Sequence, residues 1–294
     1  MTRRHILSAA ISSAFTPAQA APGQATTLGI ALSSSLFPAA NRNDARVALS
    51  VWTATLGRKR GFNVNPVVNI FDDPAPIRQQ IAAHSIGIVA LDILQYFRMS
   101  TLEGLEPAFV ATRGTPDSPP RYVLVTRTSS GPQTLGALRG KSLRVTANTA
   151  ANVGLAWLDS QLAAAGLPAP SLFFQAIDST PKPSAAVLPV FFGKADAAII
   201  DEPNFRTICE MNPQLGHHLS PIATSQALPE FILCFVAAGL EFPAVVRDAV
   251  RDVHLDPDGK QILLALRTRR FLPATRASLE PYRPIFRRLE PSPQ

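Results

Sequence analysis

Strand and helix patterns alternate along the first hundred residues, and few architectures accommodate that order. Residues 27–32, 65–71 and 87–90 are short apolar runs of strand type. Residues 44–60, 74–84 and 92–99 read as helices, the first with Val47, Val51 and Leu56 on one apolar face and Gly61 as its stop. A β-α-β-α-β-α series argues for a parallel sheet covered by helices.

A second series follows a loop at 112–120 rich in Gly, Pro, Asp and Ser. Residues 121–127, 143–145, 171–176 and 196–200 read as strands, and 154–166, 184–192 (despite Pro189) and 201–211 as helices. Residues 222–228 read as a crossing segment. Residues 231–237, FILCFVA, form a near-continuous apolar run that suits a strand covered on both faces. This strand comes after the last helix of the second block and needs a covered sheet to join, which sends the chain back to the first. The expected division is a first lobe at 26–126 and 226–294 and a second lobe at 127–225. Helices at 242–254 and 258–266 precede a tail rich in Pro and Arg, and no internal sequence repeat stands out.

Residues 1–20 have the form of an export signal. Arg3-Arg4-His5 is a charged start, 6–15 a short apolar stretch, and Ala18-Gln19-Ala20 a cleavage site. The paired arginines suit either the general or the twin-arginine route. No Cys follows the cleavage site, which argues against a lipid anchor, and no later run is apolar for long enough to span a bilayer. The expectation is a periplasmic monomer without membrane insertion. Cys209 and Cys234 are expected to stay unpaired, because on this division they fall in different lobes. The formal charge of +7 is dispersed, with no interleaving of basic and aromatic residues. That excludes nucleic acid as a partner and leaves a mild attraction for small anions.

The stretch 138–154, LRGKSLRVTANTAANVG, is the segment most suggestive of binding. A strand, then a loop of small and polar residues, leads into a helix. Unpaired N–H groups and the positive helix end make such a joint a seat for an anion. Several segments together resemble the phosphonate-binding proteins of ABC importers. They are 44–61, Leu138-Arg139-Gly140-Lys141, 152–154, Gly193-Lys194-Ala195-Asp196-Ala197-Ala198, and 256–266 (DPDGKQILLAL). The resemblance implies an α/β type 2 periplasmic binding protein fold, with two lobes that are each a mostly parallel sheet flanked by helices and with two hinge crossings. It also implies capture of a solute between the lobes, delivery to an ABC transporter permease, and no cofactor or metal.

The departures bear on the ligand. Ala150, Ala151 and Val153 stand where the family usually carries hydroxyls, and Pro74 and Leu91 where tyrosines are common. Candidate ligand contacts are Ser33, Ser34 and Ser35 after the first strand, Asp92 and Tyr96 after the third, and Asn148, Thr149 and Asn152 at the anion seat. Ser179 near the Pro-rich turn and Asp201 after strand 196–200 complete the set. Ser184 and Ser225 are further possibilities, and Asp92 and Asp201 are also natural helix caps. A carboxylate at Asp201 favours an amine, so a zwitterion with its acidic end at 149–152 reconciles the two charges. The expected solute is small, polar and anionic or zwitterionic, of the phosphate or phosphonate-like class. The alternatives are a sensor domain that presents its closed form to a receptor kinase, or a periplasmic hydrolase. No G-x-S-x-G, H-E-x-x-H or Walker motif supports an enzyme.

Overall fold

The computed structural model describes residues 25–37, 42–113, 118–146, 152–241 and 243–289. In chain order the first part is β1 (Thr26–Ser33), α1 (Arg42–Lys59), β2 (Val64–Phe71), α2 (Ala75–Ala82), β3 (Ile88–Asp92), α3 (Ile93–Met99) and β4 (Leu105–Thr112). The middle part is β5 (Tyr122–Arg127), β6 (Ser142–Thr146), α4 (Val153–Ala164), α5 (Pro170–Phe173), β7 (Ala176–Thr180), α6 (Pro183–Phe191), β8 (Ala197–Asp201), α7 (Glu202–Met211), α8 (Pro213–His218) and β9 (Leu219–Thr224). The return consists of β10 (Phe231–Val236), α9 (Pro243–Arg251), α10 (Pro257–Ala265), β11 (Arg270–Pro273), α11 (Arg276–Leu279) and α12 (Arg283–Phe286).

The strands form two sheets. The six-stranded sheet runs β11-β4-β10-β3-β1-β2 and the five-stranded sheet β7-β6-β8-β5-β9. In the first, β1 to β4 share a direction, with β10 and β11 opposed to them. In the second, β6 to β9 share a direction and β5 opposes them. Each opposed inner strand arrives by a crossing: β5 after the chain leaves the first sheet, β10 after it leaves the second.

Burial explains β10. Phe231, Leu233 and Phe235 point into one apolar cluster, with Leu28, Ile30, Leu49 and Phe271. Ile232, Cys234 and Val236 point into another that runs on through Tyr122, Leu124, Trp157 and Phe286. A strand covered on both faces needs apolar residues at every position, not alternate ones. Cys209 on α7 and Cys234 on β10 are both free thiols, and burial raises the pKa of each, far more for Cys234.

Three expectations need correction. The expected division places residues 121–126 in the first lobe, but β5 pairs with β8 and β9 in the second sheet. Its inward residues Val123 and Val125 pack with Val187, Val190 and Ile200, which holds it there. The strand at 171–176 is instead helix α5 followed by β7. Pro170 sits in the first turn of that helix, and β7 is an edge strand with mostly exposed residues, so it lacks an apolar signature. The crossing at 222–228 begins later, because β9 extends to Thr224. The sequence pattern also gives no sign of β4. Pro107 lies within it, accommodated by a register shift against β10 that skips Ala108.

The C-terminal segment crosses between the sheets. Arg276 donates to the carbonyls of Ser100 and Leu105, and Arg283 donates to the Ser100 hydroxyl at 2.8 Å. Phe286, fully buried, lies 5.8 Å from the Phe97 ring on α3, and α12 packs on α4. Beyond it Arg288 donates to the buried Asp159 of α4 at 2.9 Å. Among the described residues no helix is long and apolar enough to cross a membrane.

Candidate functional site

The carboxyl ends of β3 and β8 carry matching aspartates. Asp92 caps α3, accepting from the Gln95 N–H at 2.8 Å. Asp201 caps α7, accepting from the Asn204 N–H at 3.0 Å and the Asn204 side-chain amide at 2.7 Å. Both are buried. Their neighbours differ. The Ser33 and Ser35 hydroxyls lie 2.7 Å apart, and Ser35 donates to Asp92 at 2.7 Å, so this edge of the first sheet is closed on itself. Burial raises the pKa of Asp92 above the ordinary carboxylate value, against the hydrogen bonds from Gln95 and Ser35. Ser34 turns away, donating to Asp72 at 2.6 Å.

Between the two sheets lies a cleft of about 450 Å³. Arg113, just after β4, and Arg267, just after α10, line it from the first sheet's side. Lys182, Asp201 and Asn204 line it from the second, and Glu230 stands at the crossing. Glu230 is buried, accepts a hydrogen bond from the Tyr122 hydroxyl, and lies 2.9 Å from the Arg113 guanidinium. Its backbone carbonyl accepts from the Ile93 N–H at 3.1 Å, next to Asp92. Burial, then the Glu230 charge, pushes the Tyr122 phenol well above its ordinary pKa. Ser225, at the start of the same crossing as Glu230, accepts from the Tyr122 N–H at 2.8 Å, which assigns it to the joint.

Asn152 caps α4 with φ +41°, accepting from the Leu155 N–H at 3.3 Å. Two residues on, a Cβ on Gly154 would meet the Tyr122 ring at 2.6 Å and the Ile199 side chain at 2.7 Å. Only glycine lets α4 start this close to β5 and β8, so the start of α4 is held against Tyr122, whose hydroxyl meets Glu230. Asn148 and Thr149 lie outside the described residues. Tyr96 is 1% exposed, its ring 5.3 Å from Phe97 in the core and not on the cleft wall, and burial pushes its pKa up to about 12. Ser179 is exposed near the end of edge strand β7, two residues before Pro181 at the cleft.

Of the sequence candidates among the described residues, only Asp201 lines the cleft wall, and Asp92 precedes Ile93, whose N–H meets the Glu230 carbonyl. Sequence reasoning missed Arg113, Lys182, Glu230 and Arg267. Lys182 had a signal, since it stands between Pro181 and Pro183 in the turn that Ser179 and Ser184 flank. No histidine lines the cleft among the described residues.

A family model for the phosphonate periplasmic substrate-binding protein of ABC transporters matches residues 35–279. The chain belongs to this family. Solved structures with the same fold include XAC2383 from Xanthomonas citri bound to ATP, with 14% identity and a TM-score of 0.62 over 90% of this chain and 98% of that one. PhnD1 from Prochlorococcus marinus in complex with methylphosphonate has 15% identity and a TM-score of 0.58, over 90% and 98%. The periplasmic aliphatic sulphonate binding protein SsuA from Escherichia coli has 13% identity and a TM-score of 0.53, over 92% and 90%. No curated protein sequence matches. This is the type 2 periplasmic binding protein fold. The family is one of extracytoplasmic solute-binding proteins that deliver a small molecule to an ABC permease, not of enzymes.

Proposed function

We propose that the chain captures a phosphonate-, phosphate ester- or sulfonate-like anion in the cleft between its two lobes. The observation that carries this reading is the charge of the cleft wall. Three cations, Arg113, Lys182 and Arg267, face two carboxylates, and Arg113 is already held by Glu230. The neighbouring start of α4 adds backbone N–H groups and a helix dipole worth about 0.3–1 kcal/mol to an anion. Asp201 gives a donor-bearing end of the solute a partner, which supports a zwitterion as well as a simple anion. Methylphosphonate and sulfonates, which relatives in fold are named for, fit this charge pattern.

The same reading divides the chain into an export signal at 1–20, a first lobe built on β1–β4, β10 and β11, and a second built on β5–β9. The mature protein works as a monomer that meets its permease without entering the membrane, and the paired arginines leave both export routes open. A thermal-shift screen of the mature protein against phosphonates, phosphate esters, sulfonates and amino acids tests the ligand class. A ligand at 100 times its Kd stabilises the protein by about 2.7 kcal/mol. Stabilisation by neutral sugars or cations alone overturns the reading.

A further inference from the structure

Arg267 occupies a backbone position that an arginine rarely takes. Its φ is +50°, in the left-handed region. Its N–H donates to the Leu264 carbonyl at 3.0 Å, and the next N–H, of Thr268, donates to Leu263 at 2.8 Å. This pair of bonds closes a helix through a residue that is usually glycine, because a Cβ is strained there. The chain follows that rule at the ends of α1, α4 and α6, with Gly61, Gly166 and Gly193 at φ +82°, +68° and +72°. It departs from it at His84, φ +55°, a residue type that is enriched in this region, and at Arg267, which is not.

The side chain offers a reason. Arg267 lines the interlobe cleft, and Lys182 lines it from the other lobe. Arg113, the third cation, is held by Glu230, whereas neither Arg267 nor Lys182 is paired through its side chain among the described residues. Two uncommitted cations therefore face one cleft from opposite sides. A guanidinium fork grips two oxygens of a tetrahedral oxyanion, and a lysine supplies a compact second charge.

We infer that Arg267 is a specificity-determining ligand contact which, with Lys182 across the cleft, selects a doubly charged oxyanion such as a phosphonate or phosphate monoester over a singly charged sulfonate. The strained backbone at Arg267 is the cost of placing that charge. The inference rests on the anion-binding reading of the cleft and adds to it the residues and the charge of the ligand.

Methylphosphonate and methanesulfonate are a matched pair of probes, near-identical in shape and different in charge at mildly alkaline pH. Calorimetric titration of wild type should give a Kd for methylphosphonate at least about tenfold lower than for methanesulfonate, a gap of about 1.4 kcal/mol. Arg267→Gly should weaken methylphosphonate about tenfold or more and narrow that ratio, while the melting temperature of the unliganded protein stays level or rises. Lys182→Ala should move the ratio the same way. A purely structural arginine predicts the same melting behaviour with unchanged affinities, and that result overturns the inference while leaving the proposed function standing. Arg267→Asn, which keeps the left-handed backbone accessible, must reproduce the loss of binding, and its failure to do so also counts against the inference. Wild type that binds neither probe nor any other anion overturns both.

Discussion

Strand β4 of the first lobe begins Leu105-Glu106-Pro107, and strand β9 of the second begins Leu219-Ser220-Pro221. Each pairs antiparallel with the strand that crossed into its sheet. Each skips one residue directly after its proline, Ala108 in β4 and Ile222 in β9. The register continues the match: Phe231 pairs with Asp92 in the first sheet, and Tyr122 with Asp201 in the second. The lobes therefore share strand order, bulge and capping aspartate. They differ in what those positions do. Phe231 packs against the Phe271 ring at 5.7 Å, whereas Tyr122 carries a hydroxyl to Glu230 at the crossing. Asp92 is sealed by Ser33 and Ser35, whereas Asp201 faces the cleft beside Lys182. One plan thus serves two ends, a first lobe closed in on its own polar groups and a second that turns them toward the joint and the cleft.

The largest effect should come from removing the second lobe's hold on the joint. Glu230→Ala strips the buried carboxylate from Arg113 and Tyr122. Because Arg113 keeps some contact with solvent, the cost should be about 3 kcal/mol, at the low end for a broken buried pair. Denaturant melts that move by less than about 1 kcal/mol would show that the Tyr122–Glu230 contact is not what distinguishes the lobes.

Gly154→Ala comes next, since the added methyl meets Tyr122 and Ile199 well inside contact distance. Overpacking should cost about 1–3 kcal/mol. The damage should reach ligand affinity too, because the start of α4 must shift. Stability loss with unchanged affinity would separate the α4 terminus from the site.

Ser35→Ala tests the closed edge. It removes the hydroxyl that donates to the buried Asp92 and should cost about 1–2 kcal/mol, roughly 2–8 °C in Tm for a chain of this size. Ligand affinity should stay within about twofold of wild type, and a larger loss would return the first lobe's serines to the binding site.

The smallest effect is a pH slope. Burial raises the Asp92 pKa, so the folded protein holds this proton to higher pH than the unfolded chain does. Its contribution to stability is present at low pH and is lost as pH rises from about 4 through the raised value. Asp92→Asn has no such proton, and its Tm relative to wild type should climb across that window and then level off. Parallel Tm profiles would mean that Asp92 ionises in the folded state as it does in the unfolded chain.

Much of the frame was legible in sequence because it depends on periodicity. The runs at β1, β3, β8 and β10 are apolar enough to announce themselves, and the two capping aspartates sit where a strand must become a helix. The shared Leu-x-Pro strands went unread because proline normally argues against a strand, and only the bulge, a property of pairing, reverses that. Strand β7 stayed hidden because an exposed edge has no apolar signature. In the site, serines after a strand look alike whether they face a ligand or one another, and here Ser33 and Ser35 face one another. Arg267 reads as an ordinary surface charge until its dihedral angle is known.

The C-terminal segment changes the mechanics of the joint. Two strands crossing between two bodies leave them free to bend about the line through the crossings and also to twist. A third link that ties the bodies together away from that line removes the twist. Phe286, wedged between α3 and α4, and Arg288, tied to Asp159, are such a link. A third connection of this kind limits how the two bodies can turn against one another. The helix whose start the proposed function places beside the ligand is also the one whose flank packs on α12, so the C-terminal segment is coupled to the proposed binding groups.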